Sequence, residues 1–566
     1  MIYGIDLGTT NSLIARLDDG VPVCIPNALG NVLTPSVISL AEDDTLLVGQ
    51  AARERLVKYP ARTVASFKRL MGTEHETRLG QRKFKPEELS ALVLRSLKDD
   101  VLAATGQTVS DVIISVPAYF NDQQRKATRL AGQLAGLNVR QLLNEPTAAA
   151  LFHGIHDRDA ESKFLVFDLG GGTFDVSILD RFSGIMEVRA TGGDSFLGGD
   201  DFTQAMLKLM ADRAGLSPAQ RKAANVAPGL LHGAESAKRA LTTAASASIA
   251  LPTALGLPPV TITLEDYEKA CAPLLERLRA PMERALRDAR MRAADLSEIV
   301  LVGGATRMPM VRRLVAQLFG RLPARHPDPD QTIALGAAVC AGLVSRDVAF
   351  AEMVMTDVCP HSLGTSIAQR DGRGVYVHDV FLPIIERNTV VPASRVRSLT
   401  TLTDDQTSMV IDVYQGESRL CSQNICLGQI DVPIPKRKAG EVAVNVRYTY
   451  DINGILDVDV DVDGTDIARN LVIRQLAGDV PDEDIARRRK ELAALKLHPR
   501  EQEENRVLLE RAERLYTQLL GDERSHVSAL LVQFTGVLES QDMRLVAQVR
   551  PDFARALDML EQGQTW

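Results

Sequence analysis

The chain has 566 residues, of which 45% are hydrophobic and 24% are charged, a balance that is ordinary for a globular protein and argues against disorder. The formal net charge is −8 with acids and bases interspersed, whereas a general nucleic-acid binder needs a basic face. The chain lacks an apolar run of the ~20 residues that span a membrane, a signal-peptide pattern and any CxxC pair among its six cysteines, so we expect a cytoplasmic protein with reduced thiols.

Strand and helix signals alternate over residues 1–346. Short runs of branched apolar residues predict buried strands, and helical patterns lie between them. The clearest strand-like runs are 112–116, 164–167 and 299–302, and the clearest helical patterns are 87–100 and 123–135. Because so long an α/β region exceeds what one hydrophobic core supports, we predict two lobes.

The character of the chain changes at 347–358, a brief apolar patch between acids that we interpret as a linker. Beyond it, SMVIDVYQGE, EVAVNVRYTY and ILDVDVDVDG alternate apolar and polar residues, and Asn453-Gly454 is a turn signal. This pattern predicts a β-sandwich with one solvated face over 359–480. Helical patterns return over 481–566, where Pro481 and the acids after it are typical of a first helical turn.

Two similar glycine turns follow strand-like runs: DLGTTNS begins at Asp6, and DLGGGTFDVS begins at Asp168. In such a turn backbone N–H groups approach phosphate closely, threonine hydroxyls add donors, and the aspartate holds a magnesium-bound water. One such sequence is more often only a tight turn, but two predict a duplicated lobe with a nucleotide between facing loops. Neither carries the GKS/T ending of a P-loop. A third, VGGATR at 302–307, lacks the aspartate and is either a nucleoside contact or a plain turn.

The motifs DLGTTNS, VPAYFND, NEPTAAAL, DLGGGTFD, GGDSFLGGDDF and VLVGGATRMPMV occur in the order found in the DnaK-type seventy-kilodalton heat-shock chaperones. The chain resembles this family over nearly its whole length, and its shortened C-terminal region is most similar to the HscC branch. The resemblance implies a multi-domain fold with a two-lobed α/β actin-like ATPase, a β-sandwich peptide-binding domain and a short α-helical lid. It implies a stress-response chaperone that binds extended hydrophobic peptide segments and hydrolyses ATP, with weak basal activity, to switch its peptide affinity through the linker.

The resemblance also implies the residues of a site for ATP or ADP. Asp6 and Asp168 would hold Mg²⁺ through water, and K⁺ would bind nearby as a second ion. The implied catalytic residues are Lys68, Glu145, Asp168, Thr173 and Asp175. Without the resemblance, Lys68 would be interpreted as a solvated helix lysine. The implied nucleotide-binding residues are Gly8, Thr9, Thr10, Asn11, Gly170, Gly171, Gly172, Glu235, Lys238, Arg239, Thr242, Gly303, Gly304, Arg307 and Asp330.

A switch and a peptide site complete what the resemblance implies. Pro117, Arg125 and the linker residue Asp357 would carry the nucleotide state to the β domain. The alternative is that the linker is a helix tail packed on its own domain. The implied peptide-site residues are Thr365, Leu399, Met409, Ile411 and Ile455, with Ala368 and Leu402 as an arch over the peptide backbone. Thr365 stands where the family usually has an aliphatic residue, which leaves the preference of this pocket open.

Departures from the family pattern bear on partners. The stretch 72–88 is shorter than in DnaK, Gln141 stands where DnaK has an arginine used for J-domain contact, and the sequence ends without the acidic tail motif of the cytosolic eukaryotic members. We therefore expect a dedicated J-domain co-chaperone and leave the need for an exchange factor open. Two other functions compete with a chaperone: a sugar or metabolite kinase with the same duplicated lobes, and a regulator that binds ATP without cycling. A kinase has no use for the region 359–566, and the retained catalytic residues argue against a non-cycling regulator.

Overall fold

The computed structural model describes residues 1–154, 161–182, 185–324, 328–347, 354–370, 372, 376–391, 393–450, 456–473, 503–519, 521–539 and 543–561. The predicted helices and strands of residues 1–346 are present: the pattern at 87–100 lies inside a helix at Pro86–Thr105, and the run at 112–116 lies inside a strand at Asp111–Val116. None of the described helices is long and apolar enough to cross a membrane.

The first lobe contains eleven strands and four α-helices. They are β1 (Ile2–Asp6), β2 (Asn11–Asp18), β3 (Val21–Cys24), β4 (Thr34–Pro35), β5 (Val37–Leu40), β6 (Leu46–Val48), α1 (Gln50–Glu54), β7 (Thr63–Ala65), β8 (Thr77–Leu79), β9 (Arg82–Phe84), α2 (Pro86–Thr105), β10 (Asp111–Val116), α3 (Asp122–Leu134), β11 (Asn138–Asn144) and α4 (Glu145–Gly154). The central sheet has the order β11-β10-β1-β2-β3, with β4 paired to β2. In it, β1, β10 and β11 are parallel, and β2 and β3 are antiparallel to their neighbours.

The second lobe repeats this arrangement. Its described elements are β12 (Ser162–Leu169), β13 (Phe174–Phe182), β14 (Ile185–Asp194), α5 (Gly199–Arg213), α6 (Pro218–Lys222), α7 (Ala227–Ala240), β15 (Ser246–Ile249), β16 (Val260–Thr263), α8 (Leu264–Asp288), β17 (Glu298–Val302), α9 (Pro309–Phe319) and α10 (Thr332–Ser345). As β1 lies between a parallel and an antiparallel neighbour, so β12 lies between parallel β17 and antiparallel β13. The duplicated topology explains why the aspartate–glycine turn occurs twice: each copy ends the same strand of its lobe.

Helix α10 joins the lobes through contacts that only small residues allow. A Cβ on Gly4 of β1 would lie 2.2 Å from the backbone nitrogen of Ala338, and one on Gly336 would lie 1.8 Å from the carbonyl oxygen of Ala148 in α4. Buried alanines from α4 and α10 share one core with strands of both lobes. This close packing fixes the base of the cleft above which the two glycine turns meet.

The β-rich region forms the predicted sandwich. The described strands from the linker onward are β18 (Val354–Val358), β19 (Leu363–Arg370), β20 (Tyr376–Ile385), β21 (Val390–Val391), β22 (Ala393–Thr400), β23 (Ser408–Gln415), β24 (Ile425–Pro433), β25 (Ala443–Tyr450), β26 (Leu456–Val462) and β27 (Ala468–Ile473). Of these, β18 and β21 extend the sheet of the second lobe. Two four-stranded sheets, β20-β19-β23-β24 and β22-β25-β26-β27, pack their apolar faces together. Leu456, Val458 and Val460 are buried, as the alternation in β26 predicts.

The linker and the C-terminal helices contact the lobes. Strand β18, the described part of the linker, extends the second lobe's sheet by parallel pairing with β14, so this part is a strand and not a helix tail. Three helices, α11 (Glu503–Gln518), α12 (Gly521–Glu539) and α13 (Met543–Glu561), form a small bundle with its own core. The bundle rests on α1, where Arg55 pairs with Glu510 at 2.5 Å and Lys58 pairs with Glu513 at 2.6 Å. The predicted helix start at Pro481 lies outside the described residues.

Candidate functional site

The first glycine turn is held in shape by two serines. The Gly8 N–H donates to Ser12 Oγ at 3.2 Å, and Ser36 Oγ donates to the Gly8 carbonyl oxygen at 2.8 Å. A Cβ at Gly8 would lie 2.0 Å from the carbonyl oxygen of Asn11, so only glycine fits there. Asp6, at the end of β1, accepts a hydrogen bond from Ser115 Oγ at 3.1 Å. These hydrogen bonds and the close approach at Gly8 define the shape of the turn.

The two glycine turns face each other and touch. A Cβ on Gly171 would lie 2.0 Å from Thr10 Oγ1, and one on Gly172 would lie 2.9 Å from Thr9 Cγ2. The second turn is closed by a hydrogen bond from the Gly170 N–H to the Thr173 carbonyl oxygen at 3.1 Å. The sequence predicted facing loops, and the lobes bring them into van der Waals contact.

Two further chain segments reach the same place. The Gly199 N–H donates to the Gly170 carbonyl oxygen at 2.9 Å, and Lys238 Nζ donates to the Gly199 carbonyl oxygen at 3.0 Å. Gly303 has a φ of +83°, and a Cβ there would lie 2.4 Å from the Leu169 carbonyl oxygen. The third glycine turn thus packs directly behind the second one.

Acidic side chains are buried beneath these turns. Burial, reinforced by the Glu145 charge and opposed by Lys68, raises the pKa of Asp6 to about 7. Burial together with Glu145 raises the pKa of Asp175 to about 8, and the same two causes hold the pKa of Asp168 well above its usual range. Lys68 Nζ lies 2.7 Å from Glu145 Oε1, so the lysine charge is already committed to one carboxylate. The cluster carries more acid than the lysine neutralises.

The cluster suits a cation that is held through water and phosphate. Asp168 Oδ2 is buried and makes no hydrogen bond to any other described residue. Within the described part of the chain, no three His, Cys, Asp or Glu side chains come close enough together to hold a metal ion by themselves. A Mg²⁺ ion prefers few carboxylates, several waters and substrate phosphates, so these residues fit it.

The implied nucleoside contacts lie at the mouth of the cleft. Glu235, near the end of α7, pairs with Lys238 and with Arg239, both at 2.7 Å. Thr242 follows the helix, and its hydroxyl donates to the Arg239 carbonyl oxygen at 2.7 Å. On the opposite wall, Arg307 pairs with Asp330 at 2.6 Å, and a Cβ on Gly304 would lie 3.1 Å from Asp330 Oδ1. The side chains of Arg239 and Arg307 are more than half exposed, whereas that of Lys238 is only 11% exposed.

A chain of hydrogen bonds joins the cleft to the linker. Arg125 is buried and donates to Asn144 Oδ1 at 2.6 Å, and Asn144 Nδ2 donates to Asp357 Oδ2 at 2.9 Å. Thr147 Oγ1 donates to the same carboxylate oxygen at 3.4 Å. Asn144 precedes Glu145, the partner of Lys68, so neighbouring residues face the acid cluster and the linker. Pro117 lies nearby, where its carbonyl oxygen accepts from the Phe120 N–H at 3.1 Å.

Comparison with known proteins decides the family. A family model described as "Hsp70 protein" matches residues 2–79 and 74–533. The chain belongs to the Hsp70 family. It is similar to "Chaperone protein DnaK" of Thermotoga petrophila, with 39% identity over 487 residues that cover 83% of this chain and 80% of the relative. It is similar to "Chaperone protein dnaK3" of Thermosynechococcus vestitus, with 38% identity over 595 residues, 96% of this chain and 85% of the relative. The protein is therefore an ATP-dependent molecular chaperone and an ATPase, as the motifs predict.

The implied peptide-site residues of this Hsp70 lie on the sandwich. Thr365 and Ile411 are buried, Leu399 and Met409 are half-buried against the sandwich core, and Leu402 is exposed. Ala368 lies on the same strand as Thr365 and is half-buried. The Thr365 hydroxyl makes no hydrogen bond to the other residues that the structure describes. Ile455 lies outside the described residues.

Sequence reasoning missed three residues that hold the site together, namely Ser36, Ser115 and Asn144. The two serines bond to the first turn across 28 and 109 sequence positions, and no local pattern marks such contacts. Asn144 is the first residue of the NEPTAAAL motif, so the motif contained it although no role was assigned to it. The buried faces of the strands could be predicted, but these cross-chain hydrogen bonds could not.

Proposed function

We propose that the cleft binds ATP and ADP with Mg²⁺, with the phosphates against the backbone of both glycine turns. The observation that carries this proposal is the acid cluster, whose carboxylates are buried and whose lysine, Lys68, is paired with Glu145. The backbone N–H groups of Thr9–Asn11 and of Gly171 and Gly172 would donate to phosphate oxygens, as glycine turns after strands do elsewhere, while the Gly170 N–H closes the second turn. Asp6 and Asp168 would hold Mg²⁺ through its waters. When bound, Mg²⁺ would neutralise phosphate charge.

Hydrolysis in this proposal depends on the chain's own residues near the γ-phosphate. Lys68 would place its charge against the developing negative charge, and Glu145 would orient the lysine and the attacking water. Thr173 would donate its hydroxyl to the γ-phosphate. Asp175, whose side chain accepts the Tyr119 N–H at 3.1 Å, would hold K⁺ together with neighbouring carbonyl groups. Glu235, Lys238, Arg239, Thr242, Gly303, Gly304, Arg307 and Asp330 would surround the nucleoside.

We further propose that the nucleotide state reaches the β domain through the hydrogen bonds at Asn144 and Asp357. The paired strand β18 and the buried carboxylate of Asp357 support this, because both are lost if the linker leaves the lobe. The peptide site at Thr365, Leu399, Met409 and Ile411 would take an extended segment with a central apolar residue. Such a segment exposes its backbone as well as its side chains, as clients do before they fold.

The partners we propose are client peptides and a dedicated J-domain co-chaperone, acting in the cytoplasm. The five buried thiols and the sixth, exposed thiol at Cys426 are all free, which fits a reducing compartment. The domain division at 346, 358 and 480 is part of the proposal. It is supported by β18, which stands between the α10 helix of the lobes and the sandwich.

Replacement of Asp168 by asparagine tests the nucleotide site. We expect wild-type protein to bind ATP much more tightly with Mg²⁺ than with EDTA, measured by titration calorimetry. In Asp168→Asn this difference should shrink by on the order of tenfold, about 1.4 kcal/mol, because one water-mediated carboxylate contact is lost. Asp180→Asn, on the same antiparallel strand pair but away from the turns, is the matched control. An unchanged Mg²⁺ dependence in Asp168→Asn would remove Asp168 from the metal site.

A further inference from the structure

One short turn of the first lobe carries three polar side chains toward the cleft. The turn Phe67–Leu70 contains Lys68 and Arg69, and Ser66 precedes it. Ser66 has a φ of 56°, in the left-handed region that costs energy for a residue with a side chain. This unusual backbone directs the Ser66 hydroxyl and the Arg69 guanidinium toward the second lobe, while Lys68 contacts Glu145.

Ser66 and Arg69 bridge the two lobes. Ser66 Oγ donates to Asp200 Oδ2 at 2.7 Å, and Arg69 Nη2 donates to Asp201 Oδ2 at 3.1 Å. Arg69 Nη2 also donates to the Phe196 carbonyl oxygen at 3.0 Å. The side chains of Arg69 and Asp201 are only 21% and 22% exposed, so this pair is better shielded from water than an ordinary surface ion pair.

The acceptors are rigid. Asp201 Oδ2 also accepts the Gly198 N–H at 2.9 Å, which fixes the first turn of α5. Arg277, from the second lobe itself, donates to Asp194 at 2.6 Å and to the Phe196 carbonyl oxygen at 3.3 Å, so the same loop also has an arginine contact that does not cross the cleft. The contacts made by Ser66 and Arg69 therefore join two firm bodies across the cleft.

The bridge lies over the second glycine turn. A Cβ on Gly172 would lie 2.7 Å from Arg69 Cγ and 2.9 Å from Arg69 Cδ, so the arginine stem packs directly on that turn. A nucleotide whose phosphates lie at Gly172 would leave the cleft only after the lobes separate here. Separation would also move the turn that carries Lys68.

We propose that Ser66, Arg69, Asp200 and Asp201 form an interlobe clasp that controls nucleotide release and positions Lys68. This inference depends on the proposed nucleotide site. It adds that the clasp sets the rate at which the nucleotide is released. These four are positioning residues, because they act through the closure of the lobes and through Lys68. Closure of the lobes would affect both nucleotide release and hydrolysis, because the turn that carries Arg69 of the clasp also carries Lys68.

Release of a fluorescent ADP analogue from the full chain, followed by stopped flow after a chase with ATP, tests the clasp. Arg69→Gln should release the analogue on the order of tenfold faster, the effect of losing about 1.4 kcal/mol of closure. Asp201→Asn keeps an oxygen for the Gly198 N–H and should have the same effect. The double variant should be no faster than either single variant, because both remove one contact. In the double variant, the rate of analogue release should no longer show the salt dependence that the wild type shows.

Arg277→Gln is the matched control, because Arg277 contacts the same loop without crossing the cleft. Its release rate should equal that of the wild type, whereas single-turnover hydrolysis should slow in Arg69→Gln and not in Arg277→Gln. Additive effects of Arg69→Gln and Asp201→Asn, or equal release from Arg69→Gln and wild type, would overturn the clasp. If the wild type fails to bind the analogue, the nucleotide site itself is wrong, which is a separate result.

Discussion

Strand β22 of the sandwich shows how a single residue's face decides what it does. Leu399 is paired with Val444, which is fully buried, so its side chain points to the inner face. Val396, three residues earlier, is paired with Arg447 and is 46% exposed on the outer face. Because side chains alternate along a strand, a charge can be placed on either face of β22 at these two positions, and thermal unfolding of both variants reports any effect on the sandwich itself.

Leu399→Asp should therefore abolish binding of a labelled extended peptide while basal ATP hydrolysis is unchanged. The carboxylate would remove apolar contact with the peptide, and it would have to lose water when the peptide covers it. The affinity for the peptide should therefore fall by roughly tenfold or more. Fluorescence anisotropy with ADP-bound protein measures the affinity. Val396→Asp introduces the same charge on the same strand and should bind the peptide normally. Retained affinity in Leu399→Asp would exclude it from the pocket.

The linker strand β18 illustrates how an element differs from its sequence signal. The pattern around 354–357 predicted only an apolar segment between acids. The structure adds parallel pairing of Val354, Met355 and Thr356 with β14, and an Asp357 carboxylate that burial leaves with a raised pKa despite hydrogen bonds from Val358, Asn144 and Thr147. Met355 packs against the core that the lobes share, and the Asp357 carboxylate bonds to Asn144 and Thr147 just after the paired residues.

Asp357→Asn should uncouple peptide release from ATP. The amide keeps one acceptor, but its N–H₂ group faces the donors of Asn144 and Thr147, so docking weakens by on the order of 1–3 kcal/mol. Stopped-flow release of a labelled peptide should then show little acceleration by ATP, with basal release unchanged. Glu187→Gln, on the neighbouring strand and paired with Arg189, serves as the control. ATP acceleration equal to that of the wild type would refute the role of Asp357.

The elements that the sequence predicted well are those with local signals. Period-two alternation placed Leu456, Val458 and Val460 on one buried face, and the repeated aspartate–glycine turn placed two loops at equivalent strand ends. What could not be predicted depends on residues far apart in the chain. Ser36 closes the first turn, and Asn144 reaches Asp357 across 213 positions, because of how the lobes and linker pack.

At the scale of the whole molecule, polar contacts hold the sandwich against both lobes. Arg387 donates to Asp288 of the second lobe at 2.9 Å and to Glu417 of its own domain at 2.7 Å. The Asp122 N–H of the first lobe donates to Gln415 at 3.0 Å. Such contacts exchange readily for water, so the docked arrangement is one that a ligand can shift. Its stability should depend on the protonation of groups that become buried on docking.

His361 is the clearest such group. Its Nε2 lies 3.1 Å from the Tyr119 carbonyl oxygen of the first lobe, and the Tyr119 ring meets it edge-on at 4.7 Å. Burial, reinforced by the Arg125 charge and opposed by the Tyr119 carbonyl and Glu417, lowers the pKa of His361 to about 4. Beside it, burial raises the pKa of the Cys359 thiol and of the Tyr119 hydroxyl, so neither group is charged near neutral pH. The docked state thus favours the neutral imidazole.

Docking should therefore weaken as pH falls. When the sandwich is undocked, His361 should have an ordinary pKa of about 6.5 and become protonated below that pH, whereas in the docked state it stays neutral. The equilibrium constant for docking should therefore fall by up to about tenfold per pH unit below 6.5. The raised pKa of Asp357 should have the opposite effect on the pH dependence of docking. Because Asp357 is unchanged in both the wild type and His361→Gln, it does not affect their comparison. A label on the exposed Cys426 and one on the first lobe report docking with ATP by energy transfer between pH 7.5 and 5.5. His361→Gln keeps a donor for the Tyr119 carbonyl without titrating, so its docking should change much less over this range. If wild type and His361→Gln lose docking in parallel, the control by pH belongs to other groups of the interface.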